Sequence, residues 1–398
     1  MRILFVAIPN NVHSARWINQ IAELGWDLHV FPCYEGALHP NFKNVTAYYV
    51  ADRQPNPRVK ARVVWPLSKG GDRLRALSGR FPPQFFSRAA WLARVIRRIK
   101  PDLIHTLEFQ RAGYLTLEAK SMFGGDFPPW MTSNWGSDIY LFGPLSQHRE
   151  KIKAILSSCD YYSSECRRDV ELAREYGFKG EAWPVMPAAG GFNLEEMRQY
   201  RQPGPPSARR LIALKGYQHW AGRALAGLRA IELCADQLKA GGYSFAVYLA
   251  NPDVQLAAER VSVSTGLPLE DISTGSREDV LRMHGRARAS IGVSISDGLS
   301  TSALEALVMG SLPIQSNTSC LTEMARDGES ALIVPPEDPF EIAAAIRRAV
   351  TDDELVDRAA ELNARIASER LSEEVVQPQV VAMYRKVAAS LEFKSKPR

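Results

Sequence analysis

Short apolar runs alternate with amphipathic segments along almost the whole chain, and that alternation limits the fold more than any single motif. In the first half the runs are residues 3–8, 28–31, 103–106 and 130–133. Between the first two, HSARWINQIAELG sets Trp17, Ile18, Ile21 and Leu24 on one helical face and stops at Gly25. Strand, helix, strand in that order implies parallel pairing. The second half repeats the plan with runs at 211–214, 245–250, 289–296, 312–315 and 331–334. No short period recurs, so the chain duplicates an architecture and is not a solenoid.

At 398 residues the chain is long enough for two domains, each with its own core. The Pro- and Gly-rich segment PVMPAAGGFNLEEMRQYRQPGPPSARR marks the join. The expected division is a first domain at 1–187, a linker at 188–208 and a second domain at 209–375. A C-terminal helix at 376–398 is expected to pack back on the first domain, with KSKPR as a frayed tail. The expected fold is α/β, two doubly wound Rossmann-like domains facing a central cleft. Ligands of such sheets bind beyond the carboxyl ends of the strands.

Composition excludes several classes. Hydrophobic residues at 45% and charged residues at 23% are ordinary for a globular chain. The five cysteines form no CxxC pair, which suits a reducing compartment. The apolar part of MRILFVAIPNN is too short for a signal core, and no stretch reaches a membrane span, so a cytoplasmic location is expected. Thirteen basic residues between Arg53 and Lys100 stand against one acid, Asp72. Such a run meets an anionic surface, whether phosphate, acidic saccharide or the inner face of a membrane, or it is a solvated face. Nucleic acid is not an expected partner.

The chemistry concentrates in SDGLSTSALEALVMGSLPI, residues 296–314. A strand at 289–296, a helix at 302–309, a stop at Gly310 and a strand at 312–315 bracket an Asp-Gly-Leu-Ser-Thr turn. The turn therefore joins a strand's carboxyl end to a helix's amino end, where unpaired N–H groups and the helix dipole attract phosphate. Gly298 permits close approach of a ligand to the backbone. Ser302-x-x-Glu305 also matches a capping box, which accounts for Glu305 alone. Asp297, eight positions earlier, is left for a ligand.

The longer stretch DGLSTSALEALVMGSLPIQSNTSCLTEMARDGESALIVPPEDP resembles the signature of the family 4, or group 1, retaining glycosyltransferases of GT-B fold. It has the acidic pair at Asp297 and Glu305, a later acid at Glu323 and a Gly before Val-Pro-Pro. MRILFVAIPN, KPDLIHTLEFQRAGYL, SNWGSDIYLF and LIALKGYQHWAGRALAGLRAIE extend the resemblance over most of the chain. It implies that Glu305 binds the ribose of a nucleotide sugar and that Asp297 meets the donor sugar's hydroxyls. Gly298 and the amides of Leu299, Ser300 and Thr301 would hold the diphosphate, with Lys215 and Arg223 as its cationic pair. Arg277, in STGSREDV, stands where the nucleobase is received; Asn10, His13 and Asp138 would flank the donor.

This chain departs from the family pattern at several places. Asp297 replaces a usual glutamate, Lys215 a usual arginine, and Trp135 a frequent histidine; the first loop lacks Gly-Gly. His105 follows a buried strand and reads more readily as structural. With no Asp-x-Asp motif, neither metal nor cofactor is expected, the nucleotide-diphosphate sugar being a substrate. The implied activity is transfer of a sugar from a UDP- or GDP-type donor to a saccharide or lipid-linked acceptor, in cell-surface polysaccharide or glycolipid synthesis. The first domain would bind the acceptor, with RLRALSGRFPPQFFSRAAWLARVIRRIK as the acceptor or membrane element. A nucleotide-sugar 2-epimerase and a non-catalytic binding protein are the alternatives.

Overall fold

The structure, a computed structural model, describes residues 1–49, 58–63, 87–188 and 190–395. Five of the thirteen basic residues of the run, Arg53, Lys69, Arg73, Arg75 and Arg80, lie outside the described residues. The chain divides into two compact units, Met1–Gly190 with Val376–Arg398, and Gly191–Val375.

In the first unit the strands are β1 (Arg2–Ala7), β2 (Asp27–Pro32), β3 (Val45–Tyr49), β4 (Val59–Val63), β5 (Leu103–Leu107), β6 (Trp130–Ser133), β7 (Tyr161–Ser163) and β8 (Glu181–Ala182). They form one parallel sheet in the order β4-β3-β2-β1-β5-β6-β7-β8. β1 shows why its sequence reads as a continuous apolar run. Ile3, Phe5 and Ala7 enter the core on one face of the sheet, while Leu4 and Val6 enter the other. Both faces are covered, so both registers of the strand must be apolar. On the first face the helix Glu373–Ser395 contributes Val376, Val380, Met383, Tyr384 and Val387 to the core. On the second, Ser87 caps the helix Arg88–Ile99, whose Trp91, Leu92, Val95 and Ile96 are buried.

The second unit contains β9 (Leu211–Lys215), β10 (Gln218–His219), β11 (Gly222–Arg223), β12 (Ser244–Tyr248), β13 (Leu269–Ile272), β14 (Ala287–Gly292), β15 (Leu312–Ser316) and β16 (Leu332–Val334). Six of these pair in parallel in the order β13-β12-β9-β14-β15-β16, and β10 with β11 makes a small antiparallel hairpin. Ranked along the chain, the six follow the Rossmann order 3-2-1-4-5-6. Alternate residues again divide: Ile212 and Leu214 go to one core, Leu211 and Ala213 to the other.

Three boundaries differ from the sequence expectations. Residues 191–208, read as linker from their Pro and Gly content, count with the second unit. Gly285 explains part of this, because the Tyr200 carbonyl packs where any Cβ at 285 would stand, and Gln202 N–H donates to Gly285 O at 3.1 Å. Next, the run 289–296 leaves the sheet at Gly292. There Ser316 Oγ accepts from Ser294 N–H at 3.1 Å and Thr318 Oγ1 donates to Ser294 O. Side chains thus take the backbone groups that a further strand would have used. Finally, the run 245–250 ends at Tyr248, because Leu249 adopts φ +54.

Candidate functional site

In the second unit the strand order reverses between β9 and β14, which both neighbour the chain's central crossover. That reversal opens the sheet at its carboxyl edge, the position where open α/β sheets take ligands. Lys215 is the last residue of β9. Its Nζ lies 3.9 Å from Asp297 Oδ2, the two side chains being 9% and 19% exposed. The ammonium also sits 4.8 Å from the centre of the Tyr217 ring. A cation at a strand's end and a carboxylate on the loop after β14 are thus brought together from places distant in sequence.

The loop from β14 leads through Asp297 to the helix Thr301–Val308. Asp297 Oδ1 accepts from Gly298 N–H at 2.9 Å, and Gly298 O accepts from Cys320 N–H at 3.0 Å. Both ends of the turn are therefore fixed. Among the described residues the amides of Leu299, Ser300 and Thr301 have no protein acceptor. The Ser300 hydroxyl is buried and equally without a partner. The first N–H groups of any helix lack intrahelical acceptors, and here they stand beside a buried, unpaired hydroxyl, an arrangement able to take an acceptor from a ligand. Its polarity suits an anion, since the helix dipole adds partial positive charge at the same point.

The capping box expected at Ser302 and Glu305 is not formed. Ser300, at φ −54 and ψ 117, stands at the cap, so the helix starts one residue earlier and Ser302 lies inside it. The Ser302 hydroxyl bonds to the Tyr248 phenol, whose own ionisation burial makes difficult. Glu305 is consequently relieved of capping. It is buried, with Arg277 Nε 3.7 Å from its Oε1. Arg277 also approaches Glu196 at 3.8 Å and begins the helix Arg277–Arg286. The real capping box belongs to that helix: Ser276 Oγ accepts from Asp279 N–H at 3.2 Å, and Asp279 Oδ2 accepts from Ser276 N–H at 3.0 Å.

Arg223 closes the small hairpin. Its Nε pairs with Glu337 at 2.8 Å and its Nη1 donates to His219 O at 2.7 Å. Glu337, His219 and Trp220 went unread in the sequence. The only signal for the hairpin was the glycine of GYQHWAGR: a Cβ at Gly222 would lie 2.3 Å from Tyr217 Cβ.

Asn10, His13 and Asp138 belong to the first unit. Asn10 Oδ1 accepts from Tyr34 Oη at 2.6 Å. His13 lies in the first turn of the helix Val12–Asn19, capped by Asn11 Oδ1, and its ring meets Trp135 edge-on at 6.3 Å. Asp138 is buried, and its Oδ2 accepts from Phe109 N–H at 3.0 Å and Trp135 N–H at 2.8 Å. Burial first, and the nearby Glu108 carboxylate second, hold the Asp138 carboxyl well above the usual range. His105 is structural: it bridges Tyr384 Oη and Ser133 Oγ, both at 2.7 Å, and burial pushes its pKa down to about 3. A surface cavity of about 520 Å³ lined by Arg97, Lys100, Phe123 and Phe127 lies at the amino ends of β5 and β6, away from the ligand edge.

Comparison with known proteins bears on this geometry. Residues 272–365 match the family model of the group 1 glycosyl transferases, and residues 66–164 match that of the glycosyl transferase 4-like proteins. No curated protein matches the chain in sequence. Among solved structures, a sucrose-phosphate synthase from Thermosynechococcus elongatus superposes with TM-score 0.67 at 14% identity, covering 98% of this chain and 100% of that one. An α,α-trehalose-phosphate synthase (UDP-forming) from Burkholderia xenovorans, in complex with glucose-6-phosphate, gives 0.66 at 16%, with coverage of 98% and 100%. HepE of Anabaena in complex with UDP-glucose gives 0.68 at 14%, with coverage of 97% and 100%. At such identities the likeness shows a shared fold of two Rossmann-like domains.

Proposed function

From the chain's membership of the group 1 glycosyltransferases, a family of enzymes, we infer that it is a hexosyltransferase. It moves a sugar from a nucleotide-diphosphate donor to a saccharide or lipid-linked acceptor, with retention at the anomeric carbon. One observation carries the reading: Lys215 and Asp297 meet at 3.9 Å beside the unpaired amides of Leu299, Ser300 and Thr301. A dianionic diphosphate joined to a hydroxyl-rich ring fits that combination of cation, amides and carboxylate.

In the transfer, the bond from the anomeric carbon to the donor's phosphate oxygen breaks and an acceptor hydroxyl oxygen bonds to that carbon. The hydroxyl proton leaves with the diphosphate. Positive character builds on the sugar ring and negative charge on the leaving group. Lys215 and the three amides answer the negative charge, and Arg223 joins them when its guanidinium leaves Glu337. Asp297 holds hydroxyls of the donor sugar. Glu305, beside Arg277, takes the ribose, and Arg277 borders the base. In the first unit, Asn10 and His13 supply hydrogen bonds toward the donor, while Asp138 acts by fixing its loop. Neither metal nor cofactor is assigned, because the chain's own cations and amides supply the charge.

UDP is the first nucleotide to test, since two of the fold neighbours carry it in their descriptions. The acceptor belongs to cell-surface polysaccharide or glycolipid assembly, a reading supported by the sequence resemblance and the basic run. Among the described residues no helix is long and apolar enough to cross a membrane. Contact with anionic membrane at the inner face is assigned to the basic run on its charge; equal vesicle co-sedimentation after charge reversal at Arg73, Arg75 and Arg80 would remove it. The decisive experiment is a calorimetric screen of UDP, GDP, ADP and their common sugars, followed by transfer assays. Binding without turnover against a broad acceptor panel would instead favour the binding-protein alternative.

A further inference from the structure

The hairpin between Lys215 and the helix Ala224–Leu233 is built more firmly than a surface loop of its length requires. Gln218 pairs with Arg223 and His219 with Gly222. Tyr217 O accepts from Ala224 N–H at 3.1 Å, His219 Nδ1 from Ala221 N–H at 3.1 Å, and Gln218 Oε1 from Leu225 N–H at 3.1 Å. The tip is also tied to the loop that carries Asp297, because Trp220 O accepts from Ile295 N–H at 3.0 Å and Ser296 N–H at 3.3 Å. Hairpin tip and carboxylate loop are therefore joined through their backbones.

Along this hairpin the rings form an ordered series. The Lys215 ammonium stands 4.8 Å from the Tyr217 ring. Tyr217 stacks on His219 with centroids 5.0 Å apart and planes at 30°, and His219 meets Trp220 at 4.9 Å and 54°. The indole at the end is 46% exposed. A scattered exposed apolar residue needs no explanation. This one terminates a series that begins at the ammonium of the ligand edge, on a backbone pinned beside Asp297.

A pyranose ring has an apolar C–H face and a rim of hydroxyls. It is recognised by an aromatic face together with a few placed polar groups. The hairpin supplies the aromatic face, with the polar imidazole of His219 beside it. We propose that the hairpin Gln218–Arg223 is a saccharide subsite in which the acceptor's pyranose ring lies on the indole of Trp220, backed by His219. The assignment rests on the reading of the second unit as the donor-binding domain. The donor's own sugar is tethered through its diphosphate to Lys215 and the helix amides, whereas the indole stands two ring contacts further out, beyond Tyr217 and His219. A second sugar ring fits the exposed part of that indole.

The test uses the full chain and a panel of methyl α-glucoside, methyl α-mannoside and methyl β-galactoside, read by saturation-transfer NMR with UDP present. Trp220→Ala should weaken contact with the preferred pyranoside about tenfold, and Trp220→Phe should restore most of it. Calorimetric affinity for UDP, and the ratio of UDP-glucose to UDP affinity, should change less than about twofold, with the melting temperature confirming the fold. Unchanged pyranoside contact in Trp220→Ala, or no contact with any panel member in the parent, overturns the subsite. A loss confined to UDP-glucose over UDP overturns the acceptor assignment, since the indole would then serve the donor sugar. A parent chain that binds none of UDP, GDP or ADP removes the donor reading itself.

Discussion

The two units bring their loops to the same topological position and fill it in opposite ways. In the second, at the reversal between β9 and β14, the Lys215 ammonium stands near the Asp297 carboxylate, and among the described residues the amides of Leu299 to Thr301 and the Ser300 hydroxyl have no protein partner. In the first, at the reversal between β1 and β5, the carboxylates already have backbone partners. Glu108, at φ +85, accepts from the amides of Arg111 and Ala112, and Asp138 from those of Phe109 and Trp135. One fold thus yields an edge whose helix-start amides lack protein acceptors and an edge whose Glu108 and Asp138 carboxylates are taken up by their own backbone. The difference lies in which loop residues stop at the strand ends, and not in the sheets.

That contrast can be broken at four points. The largest effect is expected at Lys215: Lys215→Ala should slow transfer on the order of 10²–10³-fold, about 3–4 kcal/mol of barrier, with little change in melting temperature. A transfer assay with matched thermal melts checks it. Glu305→Gln should come next, weakening nucleotide binding about tenfold with the fold intact, because no cap depends on Glu305. Equal loss of stability and affinity would return Glu305 to a structural role.

In the first unit the expected losses are of stability. Asp138→Ala leaves two buried amides without an acceptor and should cost about 2 kcal/mol or more, seen as a lower urea midpoint. Its raised pKa carries a sign. The folded chain holds that proton more tightly than the unfolded chain, so this group's contribution is greatest in acid and declines as pH rises through and above the carboxylate range. Asp138→Asn keeps an acceptor without the charge. It should lack that decline, with an advantage over the parent at about pH 8 that shrinks toward about pH 4. The smallest effect is expected at Glu337→Gln, which releases the exposed partner of Arg223. Stability should shift by less than about 1 kcal/mol and UDP affinity rise about twofold by calorimetry.

Much of this contrast was legible in the sequence because strands buried on both faces cannot hide. β1 and β9 stand out as apolar runs, β5 and β6 as shorter patterns interrupted by His105, Thr106 and Thr132, and Gly310 as a helix stop. Parallel pairing followed from the helices between the strands, and with it a ligand edge at the strands' carboxyl ends. What stayed hidden depends on contacts remote in sequence. The end of β14 is decided by Ser316 and Thr318, more than twenty positions away, and the true helix start by the backbone angle of Ser300. Ser302-x-x-Glu305 fits a capping pattern by spacing, yet spacing cannot say which serine stands at the cap. The aromatic hairpin was hidden for a similar reason, since two-residue strands leave no periodicity to read.

The central claim is that the second unit's strand reversal is a diphosphate site while the first unit's is not. Isothermal titration of UDP, GDP and ADP into the parent chain, Lys215→Ala and Asp138→Asn tests it most directly. The expected result is binding of at least one nucleotide that weakens with added salt, falls at least tenfold in Lys215→Ala and stays within about twofold in Asp138→Asn. Undiminished binding in Lys215→Ala, or binding lost in Asp138→Asn while its fold is intact, would contradict the claim.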